Sequence, residues 1–270
     1  MIKIDVVLAT YNGIPYLEQQ LSSLMSQSYK NFQVLIHDDG STDGSIEVIK
    51  QYQLNYPERI VFIDDEFSSG SAKNNFEYLL RLSKSQYVMF CDQDDFWLDE
   101  KVQWAVEHIE KLAKDHLNKP IVCFSDLTVV DENLNVISGS LFKYQKTDPK
   151  LATSIRFLSC KNCVTGCTMI INRKAIDLSL PFDRNALMHD WWIALKTLEH
   201  KGVVSYMPES FILYRQHSNN QVGARKASFF RFFKLSAFKN FYVKYKFSCK
   251  AGNQRGLFGF LLDCIRVNVS

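Results

Sequence analysis

Short apolar runs alternate with helix-forming segments through the first 130 residues, and this alternation constrains the fold more than any other feature. The apolar runs span residues 4–9, 32–36, 60–63, 87–90 and 121–124. Between the first two, Leu17, Leu21 and Leu24 recur at helical spacing. Strands that alternate with helices of this length form right-handed βαβ units. The sequence therefore predicts an α/β fold with a Rossmann-like, mostly parallel central sheet flanked by helices.

The rhythm changes after Ser125. Residues 127–130 and 134–137 flank a turn and predict a β-hairpin, and residues 164–171 predict a further strand. A helix opens at Asp190, and residues 203–207 close the regular part. Because no long linker or repeat interrupts the chain, we predict one domain over residues 1–223, followed by a helical basic extension over residues 224–270.

Charge is distributed unevenly between these two parts. The extension contains ten Lys or Arg residues and a single acid, Asp263, whereas residues 1–223 carry a net charge of −6. Aromatic residues interleave with the cations at residues 228–234 and 238–246, and residues 256–262 add an apolar patch. This pattern is typical of segments that lie on an anionic bilayer surface. The alternative is a helix that packs on the body, and no nucleic-acid partner is expected because no recognition module is evident.

No signal peptide and no apolar run of about 18 residues is evident in the sequence. The expected location is therefore the cytoplasm, with peripheral attachment at the inner face of the cell membrane. Seven cysteines, an odd number, are expected to stay reduced. Cys160, Cys163 and Cys167 lack a nearby fourth ligand, so a structural zinc site is not expected.

Polar clusters follow three of the predicted strands at their carboxyl ends, where open parallel sheets bind ligands. Carboxylates favour a hard divalent cation, and the natural task of such a cation is to neutralise phosphate. The chain has neither GxGxxG nor GxxxxGK[ST], so phosphate charge would be met by the cation, and by Lys73 or Arg215. The alternative for the aspartates is simple turn formation. The clusters are Thr10, Tyr11 and Asn12; Asp38 and Asp39; and Asp92, Gln93, Asp94 and Asp95.

The ordered set of motifs resembles family 2 glycosyltransferases with the GT-A fold, over about residues 2–220. The versions at residues 189–192 and 214–217 look most like the rhamnosyltransferase-like branch that builds bacterial surface polysaccharides. The chain lacks the Gln-x-x-Arg-Trp signature of processive relatives, which favours transfer of a single sugar. The motifs are VLATYNG at 7–13, DDGSTD at 38–43, DQDD at 92–95, NCVTGC at 162–167, HDWW at 189–192 and YRQH at 214–217.

The resemblance implies a role for each matching residue. Asp190 would be the catalytic base, although it could simply cap the helix that follows. Asp94 and His217 would bind Mg²⁺ or Mn²⁺. Residues assigned to the nucleotide-sugar are Thr10, Tyr11, Asn12, Asp38, Asp39, Lys73, Asp92, Gln93 and Arg215. Residues assigned to the acceptor are Gly166, Trp191 and Trp192, of which one tryptophan could instead belong to the core.

The expected reaction is an inverting, metal-dependent transfer of one sugar from dTDP-rhamnose or a UDP-hexose. The acceptor would be a glycan or a lipid-linked molecule in cell-surface polysaccharide synthesis. One alternative is a sugar-phosphate nucleotidyltransferase, which would need a glycine-rich N-terminal loop that this chain lacks. The other alternative is a non-catalytic nucleotide-sugar-binding scaffold.

Overall fold

A computed structural model describes residues 3–218, 220 and 235–269. Its strands are β1 Ile4–Thr10, β2 Phe32–Asp38, β3 Ile60–Ile63, β4 Tyr87–Cys91, β5 Phe96–Trp97, β6 Ile121–Val130, β7 Val136–Ser138, β8 Ile170–Asn172 and β9 Val203–Arg215. Its helices are α1 Leu17–Ser26, α2 Ser45–Asn55, α3 Ala72–Leu82, α4 Lys101–Asp115, α5 Leu141–Gln145, α6 Ile155–Leu158, α7 Arg173–Ser179, α8 His189–Glu199, α9 Leu235–Lys250 and α10 Leu257–Val269. Short 3₁₀ turns span Pro149–Thr153 and Gly166–Thr168.

The strands form one sheet in the order β3-β2-β1-β4-β8-β6-β9-β5, with β7 paired to the side of β6. Strands β1 to β4 pair in parallel, as do β6 and β9, whereas β8 runs antiparallel between β4 and β6. This arrangement confirms the predicted α/β fold with a mostly parallel sheet. The strand order reverses between β1 and β4, so the crevice at their carboxyl ends is the expected ligand site.

Both faces of the sheet are buried, which explains why its strands read as nearly continuous apolar runs. On one face, Ile4, Val6 and Leu8 of β1 pack in a cluster with residues of α1 and α4. On the other face, Val7 packs in a second cluster with residues of α3, α7 and α8. The sheet is thus a rigid layer, and its polar loops emerge at one edge.

The structure differs from the sequence prediction in three segments. Residues 121–130 form one strand, and the predicted hairpin survives only as the short antiparallel pairing of β6 with β7. The last strand continues to Arg215 and pairs with both β6 and β5. Residues 164–169 are not a strand, because the Gly166 N–H donates to the Asp190 carboxylate and Gly166–Thr168 turns as a 3₁₀ segment.

Helices α9 and α10 pack on the body of the molecule. The Phe247 ring of α9 lies 4.9 Å from that of Trp191 and 6.2 Å from that of Trp192, measured between ring centroids. The predicted aromatic and basic run at 228–234 and the predicted boundary at 223/224 lie outside the described residues, so both stay predictions. Within the described part of the chain, no helix is both long and apolar enough to cross a membrane.

Candidate active site

The loops after β1 and β2 are tied to each other by side-chain hydrogen bonds. Thr10, which lies opposite Asp38 in the strand register, donates its hydroxyl to that carboxylate at 2.7 Å. Asn12 adopts a left-handed φ of 47°, and its Oδ1 accepts the Thr42 N–H at 2.9 Å. The Tyr11 side chain between them is 58% exposed. The two loops therefore form one platform with an aromatic ring at its surface.

Asp38 and Asp39 are engaged by backbone donors of these and the neighbouring loops. Asp38 Oδ1 accepts the N–H groups of Gly40 and Ser41, at 3.1 and 2.7 Å. Asp39 Oδ1 accepts the Ser69 N–H at 2.5 Å, and so joins the β2 end to the segment before α3. Both carboxylates shape the platform that the sequence assigned to the nucleotide.

Gln93 fixes the platform to the end of β4. Its Oε1 accepts the Tyr11 backbone N–H at 2.8 Å, and its Nε2 donates to the Tyr11 carbonyl at 3.0 Å. Such a two-way amide contact holds the backbone at Tyr11 in one orientation. The platform after β1 and the acidic segment after β4 are consequently parts of one site.

Asp94 and His217 meet across the site, although 123 positions separate them in the sequence. Their Oδ2 and Nε2 atoms lie 2.8 Å apart, and both side chains are largely buried. The Tyr16 ring packs 4.8 Å from the imidazole, centroid to centroid. A carboxylate oxygen and an imidazole nitrogen that point at the same spot are suitable donors for one divalent cation.

Two further carboxylates lie beside this pair and have unusual acidities. Burial, followed by the charges of Asp94 and Asp190, raises the pKa of Asp92 to about 7. Burial, followed by the charges of Asp94 and Asp92, raises the pKa of Asp95 well above its ordinary value. Ligand atoms of Asp92, Asp95 and Cys167 all lie within 4.8 Å of one another. Like-charged groups this close disfavour ionisation, so the rim is built to accept positive charge.

Asp190 lies in the first turn of α8 and is 7% exposed. Its carboxylate accepts the Asn162 amide and the Gly166 N–H, both at 3.1 Å, and the Trp191 N–H at 2.5 Å. Burial nevertheless raises the pKa of Asp190 to about 6, against the effect of these donors. A carboxylate that is held in place and titrates near neutrality suits a general base.

Several predicted site residues have structural partners instead. Arg215 is 1% exposed, and its guanidinium donates to the Asp94 and Glu132 carbonyls and to Gln19 Oε1. This placement supports the backbone at Asp94 and gives no support to direct diphosphate contact. Lys73 Nζ donates to the Ala186 carbonyl at 3.0 Å.

Trp191 and Trp192 are both 5% exposed and belong to the core. Their indole N–H groups donate to the Leu158 and Ser179 carbonyls. Buried faces cannot stack on a sugar, so we do not propose them as acceptor platforms. Gly166 does lie at the site, next to Asp190, and an added Cβ there would come 2.6 Å from His189 Nε2.

Sequence reasoning missed three contributors. Asn162 holds Asp190, and its place within the NCVTGC motif was the available signal. Lys101 is buried under the site, 3.7 Å over the Trp97 ring, where burial lowers its pKa to about 8. His189 is buried between Phe76 and Phe90, and burial lowers its pKa to about 3, so it is neutral. No sequence signal distinguishes Lys101 from an ordinary helix residue.

The sheet order and the acidic crevice at its switch point define a glycosyltransferase with the GT-A fold. A model described as glycosyl transferase family 2 matches residues 5–177, and the chain belongs to this family. Among curated relatives, the dTDP-rhamnosyl transferase RfbG of Shigella flexneri is 28% identical over 235 residues, which cover 80% of this chain and 74% of RfbG. TuaG of Bacillus subtilis, named as a teichuronic acid biosynthesis glycosyltransferase, is 28% identical over 83% of this chain and 82% of TuaG.

Solved structures confirm the fold. Staphylococcus aureus TarS 1–349 in complex with UDP-GlcNAc aligns with a TM-score of 0.64 at 18% identity, over 98% of this chain and 71% of that one. The chain spans 37% of the chain in a further TarS structure. The mannosyltransferase PcManGT of Pyrobaculum calidifontis, in complex with GDP-Man and Mn²⁺, aligns with a TM-score of 0.58 at 16% identity, over 81% and 57% of the two chains. Family membership favours sugar transfer over the nucleotidyltransferase alternative.

Proposed function

We propose that this protein transfers one sugar from a nucleoside-diphosphate sugar to an acceptor hydroxyl, with divalent-metal dependence and inversion at the anomeric carbon. The observation that carries this proposal is the convergence of Asp94 with His217 beside Asp92, and of Asp92 with Asp190. This convergence supports a metal-binding rim and a general base at the same edge of the sheet. Both are needed for displacement of a diphosphate by an alcohol.

The donor set fits a divalent cation. Asp94 and His217 present one oxygen and one nitrogen at 2.8 Å from each other, close to the spacing of adjacent ligands on one ion. Asp92 and Asp95 are further carboxylates whose pKa values the charge of Asp94 raises. Oxygen ligands suit both Mg²⁺ and Mn²⁺, whereas an imidazole favours the softer ion. We therefore expect Mn²⁺ to bind more tightly than Mg²⁺. When bound, the cation supplies positive charge for the diphosphate that leaves.

The remaining chemistry belongs to the chain. Asp190 accepts the proton of the acceptor hydroxyl while the acceptor oxygen forms a bond to the anomeric carbon. The bond from that carbon to the diphosphate oxygen breaks with its electron pair, so attack and departure occur on opposite faces. Asn162 and Gly166 orient the carboxylate through their N–H groups. General-base assistance of this kind contributes about 10²–10⁴-fold in rate.

The proposed donors are dTDP-rhamnose and UDP-hexoses, and the proposed acceptor is a glycan or a lipid-linked molecule in cell-surface polysaccharide synthesis. The names of RfbG and TuaG and the UDP-GlcNAc complex of TarS support this range. The exposed Tyr11 ring and the half-buried Asp39 carboxylate are proposed to contact the base and ribose. Peripheral contact with an anionic membrane is proposed as well and is developed below.

The decisive experiment measures Mn²⁺-dependent binding of dTDP and UDP by calorimetry. Asp94→Asn and His217→Ala should each weaken nucleotide binding at least tenfold in Mn²⁺, with unchanged circular dichroism. The matched control is Asp115→Asn, which removes an exposed carboxylate of α4. Nucleotide binding that is equally tight in EDTA, or unchanged in both variants, would refute the metal role.

A further inference from the structure

Helix α10 exposes a continuous apolar face to solvent. Five large apolar side chains at helical spacing are 40–73% exposed, and Phe258 is the most exposed of them. Residues three, four and seven positions apart share one side of a helix, so these side chains form a stripe. The members of this stripe, here called the α10 apolar face, are Leu257, Phe258, Leu261, Leu262 and Ile265.

The opposite side of α10 fixes the helix on the body. Phe260 is buried against the rings of Phe241 and Tyr245, at centroid distances of 5.4 and 5.6 Å. Asp263 is fully buried and makes ion pairs with Arg156 of α6 and Arg255, the latter at 3.3 Å. A helix held by a buried aromatic and two ion pairs has little freedom to roll, so the apolar face is directed outward by the packing.

Among the side chains that the structure describes, the exposed charges of α9 and α10 are all cationic. Asp263 is the single acid of residues 224–270, and it is buried in ion pairs with two arginines. Lys246, Lys250 and Arg266 are exposed on α9 and α10, and Arg266 lies one turn beyond Leu262. The Lys246 ammonium also stands 4.8 Å over the exposed Tyr242 ring. The outer surface formed by these two helices is therefore apolar and cationic.

We propose that the α10 apolar face docks in the interface of an anionic lipid bilayer. An apolar stripe flanked by cations on a helix too short to span is the signature of a helix that lies in the head-group region. Apolar side chains enter the acyl boundary, and the cations stay among anionic head groups. A protein partner would explain the exposed stripe, but the exposed cations of α9 and α10 favour an extended anionic surface.

The position of α10 relates this membrane contact to the proposed active site. Helix α10 rests on α6 through the Arg156–Asp263 pair, and α6 ends four residues before Asn162, which orients Asp190. Four residues span at most about 14 Å of chain. A bilayer held by α10 therefore lies close to the segment that positions the proposed base. This part of the inference rests on the proposed function, because it presents a lipid-linked acceptor to that base.

The test is co-sedimentation of the full chain with phosphatidylcholine vesicles that contain 0% or about a third of phosphatidylglycerol. Phe258→Ser combined with Leu262→Ser should weaken binding to anionic vesicles about tenfold or more, because each buried aromatic or leucine side chain accounts for at least a tenfold partition. The matched control is Leu117→Ser with Val136→Ser, which removes two side chains of comparable exposure outside α10. Equal binding by the test variant and the control would overturn the proposal.

Charge provides the second arm. Arg266→Glu should lower binding to anionic vesicles several-fold and leave the weak binding to neutral vesicles unchanged, whereas Lys114→Glu, an exposed cation of α4, should alter neither. Raising the salt concentration about tenfold, from about 0.05 M to about 0.5 M, should release the wild-type protein from anionic vesicles, because salt screens its attraction to the head groups. Equal loss in both charge variants would overturn the specific surface and leave only general electrostatics.

A third variant tests depth without removing apolar area. In Phe258→Trp, the indole emission should shift to shorter wavelength with anionic vesicles and be quenched by brominated lipid, whereas Leu117→Trp should show neither effect. Light scattering of the same proteins tests a second copy as the occupant: a dimer that Phe258→Ser with Leu262→Ser dissociates, without any vesicle binding, would overturn the proposal. None of these measurements uses a sugar donor, so their failure is distinguishable from failure of the proposed transfer.

Discussion

Two groups of aspartates occupy the same edge of the sheet and behave in opposite ways. In the β2–α2 loop, Asp43 is surrounded by donors, and hydrogen bonds from Ser45 and Ile14 outweigh burial and lower its pKa. At the rim after β4 and at α8, burial dominates and raises the pKa of Asp92 and Asp190 to about 7 and about 6. Asp43 and Asp190 each accept three hydrogen bonds, so the difference comes from burial: Asp43 is exposed, whereas Asp190 is buried.

We propose that this contrast separates carboxylates that build the site from those that act in it. A loop aspartate whose oxygens are saturated by its own loop holds backbone geometry and has little capacity left for a ligand. A rim aspartate that faces other carboxylates gains most from a cation or a proton. The sequence motifs assign Asp92 to the donor and Asp190 to catalysis but do not show which aspartates are buried and which are exposed.

Replacing Asp190 by Asn should produce the largest effect. The amide keeps the size of the side chain but cannot accept a proton, so kcat should fall about 10²–10⁴-fold. Donor binding, measured by calorimetry with Mn²⁺, should change less than threefold. The control is Asp183→Asn, a half-buried aspartate in the loop before α8. An Asp190→Asn enzyme with more than a tenth of the wild-type rate would contradict the base assignment.

Arg215→Lys should rank second and act on stability. A lysine cannot reach the three acceptors that the guanidinium now satisfies, and unsatisfied buried groups cost about 1–3 kcal/mol each. The free energy of unfolding, measured in urea, should fall by about 2–4 kcal/mol. Arg184→Lys, at an exposed position, should leave it unchanged. If Arg215→Lys kept full stability yet lost nucleotide affinity, the diphosphate role predicted from sequence would be restored.

The pH dependence of kcat and of stability should distinguish Asp190, the proposed base, from the aspartates that hold the loops. Because Asp190 works as its ionised form and its pKa is about 6, kcat should fall tenfold per pH unit below 6. The folded protein keeps a proton on Asp190 that the unfolded chain loses near pH 4, so stability falls as pH rises from about 4 to about 6. The unfolding midpoint of Asp190→Asn should therefore decline less between pH 4 and 6 than that of the wild type. An identical decline in both proteins would place the raised pKa elsewhere.

Asp38→Asn should have the smallest effect, and on KM rather than kcat. The amide oxygen can keep both N–H bonds from Gly40 and Ser41, whereas the NH₂ group would face the Thr10 and Ser41 hydroxyls that now donate to Oδ2. The platform would loosen, so the KM for the donor should rise several-fold with kcat within a factor of two. Steady-state kinetics at saturating acceptor would measure this split. A large fall in kcat would show that Asp38 belongs to the acting group.

The first four strands could be predicted from the sequence because the patterns that indicate them are local. The runs at 4–9, 32–36, 60–63 and 87–90 became β1 to β4 within two residues, since apolar strands buried on both faces leave an unambiguous pattern. Residues 164–169 were wrongly predicted to be a strand. Their apolar residues lie in a turn that is held by a hydrogen bond between Gly166 and Asp190, 24 positions apart in the sequence. No window along the chain contains that interaction.

The roles predicted for the site residues stay predictions, although the structure shows where each residue lies. Motif order pointed to Asp94, Asp190 and His217, and the structure brings Asp94 and His217 into contact. The structure shows that Arg215, Trp191 and Trp192 are buried. Their orientation could not be predicted from the motifs, because it depends on packing that no motif records. Lys101 was invisible for the same reason, since a lysine next to a tryptophan ring in the core has the sequence appearance of a surface helix residue.

The hydrogen bonds of the Gln93 amide affect when the site is completed during folding. Its two hydrogen bonds to Tyr11 form only when β4 has docked beside β1, and β4 also brings the acidic rim. A nascent or damaged molecule in which β4 is not yet seated lacks the acidic rim and the two Gln93 bonds to the Tyr11 backbone. Nucleotide at a hundred times its dissociation constant would favour the completed sheet by about 3 kcal/mol. The supply of sugar nucleotide in the cell would then favour newly made chains in which the sheet is complete.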